Sequence, residues 1–153
     1  MRRNYNYRVM AAVKGTSMNQ ANQMSWPRVL AVWILIVLAE SINGTIRQLF
    51  ITPRIGDLPA RQFGVLTASV IIFAIACVFV GWMKARTFPQ QFRAGLLWVV
   101  QMVIFEFSLG TALGYPKERM LADYNLARGG FMSIGLLFML FAPAIAAEVR
   151  CLT

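Results

Sequence analysis

The sequence predicts an all-α integral membrane protein, a four-helix bundle built from two tandem helical hairpins inserted the same way up, with both termini cytoplasmic. Three observations carry this. The chain is 58% hydrophobic and 14% charged over 153 residues, an apolar load that a soluble domain of this size cannot cover with polar surface. The apolar residues gather in four long runs, each close to the ~20 residues of helix that bilayer hydrocarbon requires. Two of those runs repeat one polar signature in order.

Residues 1–27 are basic and acid-free, with Arg2, Arg3, Arg8 and Lys14 and a stretch rich in Asn and Gln. No apolar segment follows the early arginines, as it would in a signal peptide, and the composition predicts a disordered cytoplasmic tail. Met10, Met18 and Met24 are alternative starts to Met1, and a start at Met24 would discard nothing needed to span the membrane.

The first hairpin covers residues 28–87. Its first span, 29–48, contains Glu40, and its second, 58–83, carries no charge from Phe63 to Met83. The second hairpin covers residues 88–150. Its spans are 94–113, containing Glu106, and 124–147, apolar from Gly129 onward, with a kink expected at Pro143. Short connections make neighbouring helices antiparallel.

Lys and Arg placement sets the orientation. Arg28, Lys84, Arg86, Arg93 and Arg150 fall on the side of the basic tail. Arg47, Arg54, Arg61, Lys117, Arg119 and Arg128 fall on the other, where acids also sit. Trp26, Trp82 and Trp98 fit an aromatic belt at the inner interface, and Tyr115 and Tyr124 one at the outer.

The repeat is the most informative feature. Glu40-Ser-Ile-Asn-Gly44-Thr45 and Glu106-Phe-Ser-Leu-Gly110-Thr111 both read E-x-x-x-G-T, 66 residues apart. Asp57 and Asp123 match at the same offset, and Ala60-Arg61 matches Ala127-Arg128 shifted by one. Each copy holds two spans, so the copies should be related by a pseudo-two-fold axis along the membrane normal. Glu40 and Glu106 then lie at matching depths in the outer half of the bilayer, and Arg61 and Arg128 at matching outer helix starts.

Glu40, Asn43, Gly44 and Arg47 follow i, i+3, i+4, i+7 spacing and share one helix face. A charge in mid-span costs about 2.5–3.5 kcal/mol on insertion scales, so this stripe must face the bundle, a partner or a wet cavity. Two readings stay open. In one, Glu40 and Glu106 bind a cation, a proton or a polar headgroup. In the other, each acid pairs structurally with Arg61 or Arg128, or hydrogen-bonds a neighbouring helix while protonated. The ligand-binding candidates are Glu40, Asn43, Arg47, Arg61, Glu106 and Arg128. The outer arginines suit an anionic headgroup or carboxylate, or simply snorkel and pair locally. Asp57 and Asp123 read as helix N-caps. Gly44 and Gly110, the latter in a G-x-x-x-G with Gly114, read as close-packing positions. Gln101 reads as an interhelical hydrogen bond.

Several classes are excluded or disfavoured. The chain has no His, the commonest ligand and general base, so no metal, cofactor or catalytic residue is expected, and the chain is not expected to be an enzyme. Cys77 lies deep in a span and Cys151 in the C-terminal tail, too far apart in depth to bridge. Cys77 reads as a small apolar residue. The net charge of +9 flanks the spans rather than lining one face, which argues against nucleic acid.

The stretch from Ala39 to Arg47, with Gly56-Asp57, Ala60 to Gly64, Leu121 to Tyr124 and Arg128-Gly-Gly, resembles a group of small, uncharacterised four-helix bacterial inner-membrane proteins. The likeness covers roughly residues 26–150, outside the basic tail. It implies a bacterial inner-membrane location and brings no activity with it. The expected partners are the lipid bilayer and either further copies of the chain or a larger membrane complex. Two functions compete: a small transporter or substrate-binding membrane protein using the paired glutamates, and a non-catalytic accessory or scaffold subunit.

Overall fold

The computed structural model describes residues 24–151. The expected tail lies outside them up to residue 23, as do the start sites Met10 and Met18. Helix α1 spans Trp26–Ile46 and continues through a π-helical turn, Arg47–Ile51, into α2, Thr52–Ile55. After Gly56 comes α3, Asp57–Phe79. Then follow α4, Phe88–Ala112, the short α5, Lys117–Ala122, a 3-10 turn at Leu126–Arg128, and α6, Met132–Cys151. Among the described residues, four helices are long and apolar enough to cross a membrane: Trp26–Ile55, Asp57–Phe79, Phe88–Ala112 and Met132–Arg150.

Each boundary has a local cause. Pro27 and Pro89 sit in the first turns of α1 and α4, where a missing N–H costs nothing. Thr87 and Gln90 form a capping box that starts α4 six residues earlier than its apolar run suggests. Pro53 would clash with the carbonyl four residues back in a regular helix. The chain widens instead, and the Thr52 N–H donates to the Arg47 carbonyl five residues away. The first helix thus runs past the expected limit at Gln48. Gly56, at φ 86°, makes the turn into α3. Asp57 is therefore the first residue of α3 rather than its N-cap. The last long helix begins at Met132 rather than Tyr124, because α5, the 3-10 turn and a left-handed Gly129 at φ 80° occupy the intervening chain. Asp123 closes α5, and its carbonyl accepts from the Met132 N–H at 3.1 Å.

The long helices pack in the order α1–α3–α6–α4, and α4 returns to α1 only sparingly. At the end bearing Met24, the basal end, Val29, Val32, Ile36, Ala76, Val80, Met83, Trp98 and Met139 form the core. Trp98 is fully buried there rather than on the outer surface expected of an aromatic belt, and its Nε1–H donates to the Val29 carbonyl at 3.1 Å, holding α1 to α4. Trp26 and Trp82 are exposed, and the Arg28 guanidinium lies 5.3 Å from the centre of the Trp82 ring. Helices α4 and α6 meet at Gly95, where any β-carbon would run into the Leu140 carbonyl. Pro143 is buried within α6 and removes the N–H that the Met139 carbonyl would accept. Large apolar side chains, among them Leu38, Ile42, Val70, Ile104 and Leu137, are exposed on all four long helices, as lipid-facing surfaces are.

Candidate functional site

Away from the basal core the bundle opens. Between α1, the π turn, α3, α4 and α6 lies a cavity of about 630 Å³, its wall including Glu40, Asn43, Arg47, Gly64, Ser69 and Glu106. Its floor is the buried Ile72, Met102 and Met139, the distal edge of the core. The pocket is therefore blind at the basal end. Ser41, Thr45 and Leu109 on its lining are exposed, so one opening lies between α1 and α4, the neighbouring pair that touches least; exposed Gln48, Leu49, Leu113 and Tyr115 open it toward the distal end as well. A second cavity of about 210 Å³ adjoins it and shares Arg47, Glu106, Leu109 and Tyr115.

The polar residues on this wall are held by hydrogen bonds to neighbouring side chains. Asn43 Nδ2–H donates to Glu40 Oε2 at 3.3 Å, one turn away on α1. Asn43 Oδ1 accepts from Thr67 Oγ1–H of α3 at 3.3 Å. The other Glu40 oxygen is buried and has no hydrogen-bond partner among the described residues. Glu106 accepts from the Tyr124 hydroxyl at 3.3 Å. Burial pushes the Tyr124 phenol above its usual range, and the Glu106 and Asp123 carboxylates push it the same way. The hydroxyl therefore stays protonated and a donor. Glu106 also interacts electrostatically with both Glu40 and Arg47, which marks the three as neighbours.

Arg47 reaches the cavity because of two sequence features. The π turn opens at Arg47, whose N–H is shared between the Asn43 and Gly44 carbonyls. Gly64 on α3 supplies the room: a β-carbon there would stand 2.8 Å from Arg47 Cδ and Nη1. Arg47 forms no salt bridge among the described residues, and its Nε is buried without a hydrogen-bond partner there.

Arg61 belongs to a separate network. It pairs with Asp57 at 3.3 Å on its own helix and with Asp123 across the bundle, while Arg119 pairs with Asp57 at 3.3 Å. Gln62 Nε2–H donates to the Gly129 carbonyl at 3.0 Å. Two arginines and two aspartates thus clasp the distal loops together and line the smaller cavity in part, with Arg61 and Asp123 on its wall. Among the described residues, neither Arg61 nor Arg128 pairs with a glutamate. Arg128 is exposed at the end of the 3-10 turn, before α6 rather than at its start, and lines neither cavity.

Of the six candidates, Glu40, Asn43, Arg47 and Glu106 share one cavity wall, Arg61 stands beside it, and Arg128 does not join. Tyr124, Thr67 and Gly64 complete the site and were not legible as partners, because each contact joins segments far apart in the chain. Gly44 opens onto the cavity with nothing near its missing side chain, and Gly110 packs against Met120 of α5 rather than another long helix. Gln101 Oε1 is buried with no hydrogen-bond partner among the described residues, so the expected interhelical bond to that atom is not made. Cys77 is a free thiol packed against the core. Comparison of the chain with family models, curated proteins and solved structures finds no match.

Proposed function

We propose that this chain is a multi-pass protein of a bacterial inner membrane that binds a small ligand in the distal cavity and carries it across, with Glu40 and Glu106 as its charged contacts. One observation carries the reading: two acids, 66 residues apart in sequence, share a cavity walled by all four long helices. Buried carboxylates are costly in a bilayer, and pairing with Arg61 or Arg128 does not account for these two. A volume of about 630 Å³ falls within the ~300–1,000 Å³ usual for small-molecule pockets. The blind basal end makes this a binding site rather than an open pore, so transport requires the core around Trp98 and Met139 to part.

The tandem-repeat reading belongs to the same proposal. The matching E-x-x-x-G-T segments explain why one acid comes from each hairpin, although the halves have diverged: Glu40 leans on Asn43, and Glu106 on Tyr124. Two spans per copy put both termini on one face, and Arg28, Lys84, Arg86, Arg93 and Arg150 at the basal end favour the cytoplasmic one. An accessory-subunit role is the weaker reading, since a chain that only packs against others has no use for a cavity of this size walled by two acids.

Uptake from a mixed small-metabolite extract into proteoliposomes tests the proposal. Wild type should accumulate at least one compound that Glu40→Gln/Glu106→Gln does not. Identical uptake profiles would sink it. Terminal tags labelled from opposite faces of the membrane would remove the repeat argument.

A further inference from the structure

We infer that the ligand is a lipophilic organic cation that enters from the bilayer between α1 and α4. This rests on the reading of the distal cavity as a ligand site and assigns the chemical class of its occupant.

The first ground is charge. Arg61, Arg119, Asp57 and Asp123 pair among themselves and balance to zero. The larger cavity is left with Glu40 and Glu106 against Arg47 alone. With all three ionised, the wall carries one uncompensated negative charge in a low-dielectric setting, where unpaired charge is expensive. A proton on one acid or a ligand bearing one positive charge removes that deficit, so a cation takes the place of that proton, whereas an anion deepens the deficit. Glu40 Oε1, buried with no protein partner among the described residues, is the atom best placed to receive such a ligand.

The second ground is the rest of the lining. Ile72, Met102, Leu136 and Met139 give an apolar floor, and Phe105 adds an aromatic ring; the Tyr115 ring is already covered by the Arg119 guanidinium at 4.8 Å. Thioethers adapt to ligand shape, and ring faces attract cations. A bare metal ion needs a tight shell of oxygens at about 2–2.6 Å, not a chamber of about 630 Å³. The size and apolar floor call for an organic body around the charge.

The third ground is access. The mouth at Ser41, Thr45 and Leu109 is flanked by exposed Leu38, Ile42 and Ile104, apolar residues of helices long enough to span the membrane. A ligand using this side opening, rather than the distal one at Gln48 and Tyr115, partitions into lipid first. Lipophilic cations do so, and compact hydrophilic ones do not.

The test uses two probes of the same shape and opposite charge, tetraphenylphosphonium and tetraphenylborate, titrated calorimetrically into the full chain in nanodiscs, with empty nanodiscs as the baseline. Wild type should bind tetraphenylphosphonium and not tetraphenylborate. Glu40→Gln and Glu106→Gln should each weaken tetraphenylphosphonium at least tenfold, and Ala68→Trp, which fills the cavity from α3, should abolish binding. Circular dichroism and gel filtration establish that each variant is folded, and Ala68→Trp stands in if a glutamine variant is not. Tetraphenylborate bound preferentially, and lost in Ala68→Trp, would overturn the cation assignment while leaving the cavity reading intact. No binding of either probe would overturn both. Tetraphenylphosphonium binding unchanged by all three substitutions would place it outside the cavity and overturn the inference.

Discussion

Arg61 of α3 pairs with Asp123, which closes α5, and this contact joins the first hairpin to the second at the distal end. The two residues are 62 positions apart, and Arg119 and Asp57 are joined across the same separation in the reverse sense. Each hairpin thus contributes one arginine and one aspartate to the other. Arg61 also holds Asp57 at i,i+4, so a single guanidinium serves two carboxylates.

The clasp is partly exposed, and screening limits what it contributes. Arg61→Ala and Asp123→Ala should each lower stability by on the order of 1 kcal/mol, with a coupling of about the same size in the double-mutant cycle. The larger effect should be local. Amide exchange across residues 113–131 should quicken in both variants, and exchange in the basal core should not change. Uniform acceleration throughout the bundle would show that the clasp has no special hold on the distal loops.

Gly95 and Gly44 make a matched pair of opposite sign. A β-carbon at Gly95 would strike the Leu140 carbonyl of the neighbouring helix, backbone that cannot step aside alone, whereas nothing lies within 4 Å of one at Gly44. Gly95→Ala should therefore cost about 1–3 kcal/mol through overpacking. Gly44→Ala should be neutral or slightly stabilising, because Ala favours helix by up to about 1 kcal/mol over Gly. Thermal unfolding in one detergent measures both. Equal losses would place the close helix contact elsewhere.

These glycines also mark where sequence reasoning reached its limit. The four spans were legible because bilayer thickness imposes a minimum apolar length, and the Glu40–Arg47 stripe because helical periodicity puts those residues on one face. Which glycine carries close packing depends on what faces it, and Gly44 and Gly95 look alike in sequence until α6 is placed beside α4. Pro53 lies beyond the apolar run that ended the first span at Gln48. The π turn let the helix absorb it and turned Arg47 toward the cavity. Thr87 and Gln90 did announce the start of α4, but the signal lay outside the apolar run that defined the span. Arg128 aligned with Arg61 in the repeat, yet an added short helix and 3-10 turn carried it to the surface.

Gly64 is the passage through which Arg47 reaches the cavity, and the contact it prevents is with a flexible side chain rather than backbone. Gly64→Val should cost about 1–3 kcal/mol in the wild-type background, the usual range for overpacking. In an Arg47→Ala background the same substitution should cost under about 0.5 kcal/mol, since the guanidinium that valine displaces is gone. Chemical denaturation of the four proteins of the cycle gives the coupling. Additive losses would show that Gly64 serves some neighbour other than Arg47.

Tyr124 supplies the last prediction, read by its ionisation. Its phenol is half-buried, donates to Glu106 at 3.3 Å and is held above the usual range by burial and by the two nearby carboxylates. In an alkaline titration followed by tyrosinate absorbance, Tyr124→Phe should remove a late-ionising step. The sign for stability follows from the same shift. The folded state keeps the proton that the unfolded chain releases near pH ~10. The contribution is therefore whole below that pH and is lost as pH climbs from there through the higher folded value. Wild type should lose stability over that window more steeply than Tyr124→Phe. Parallel pH profiles for the two proteins would mean that the hydroxyl faces water and that Glu106 has some other partner.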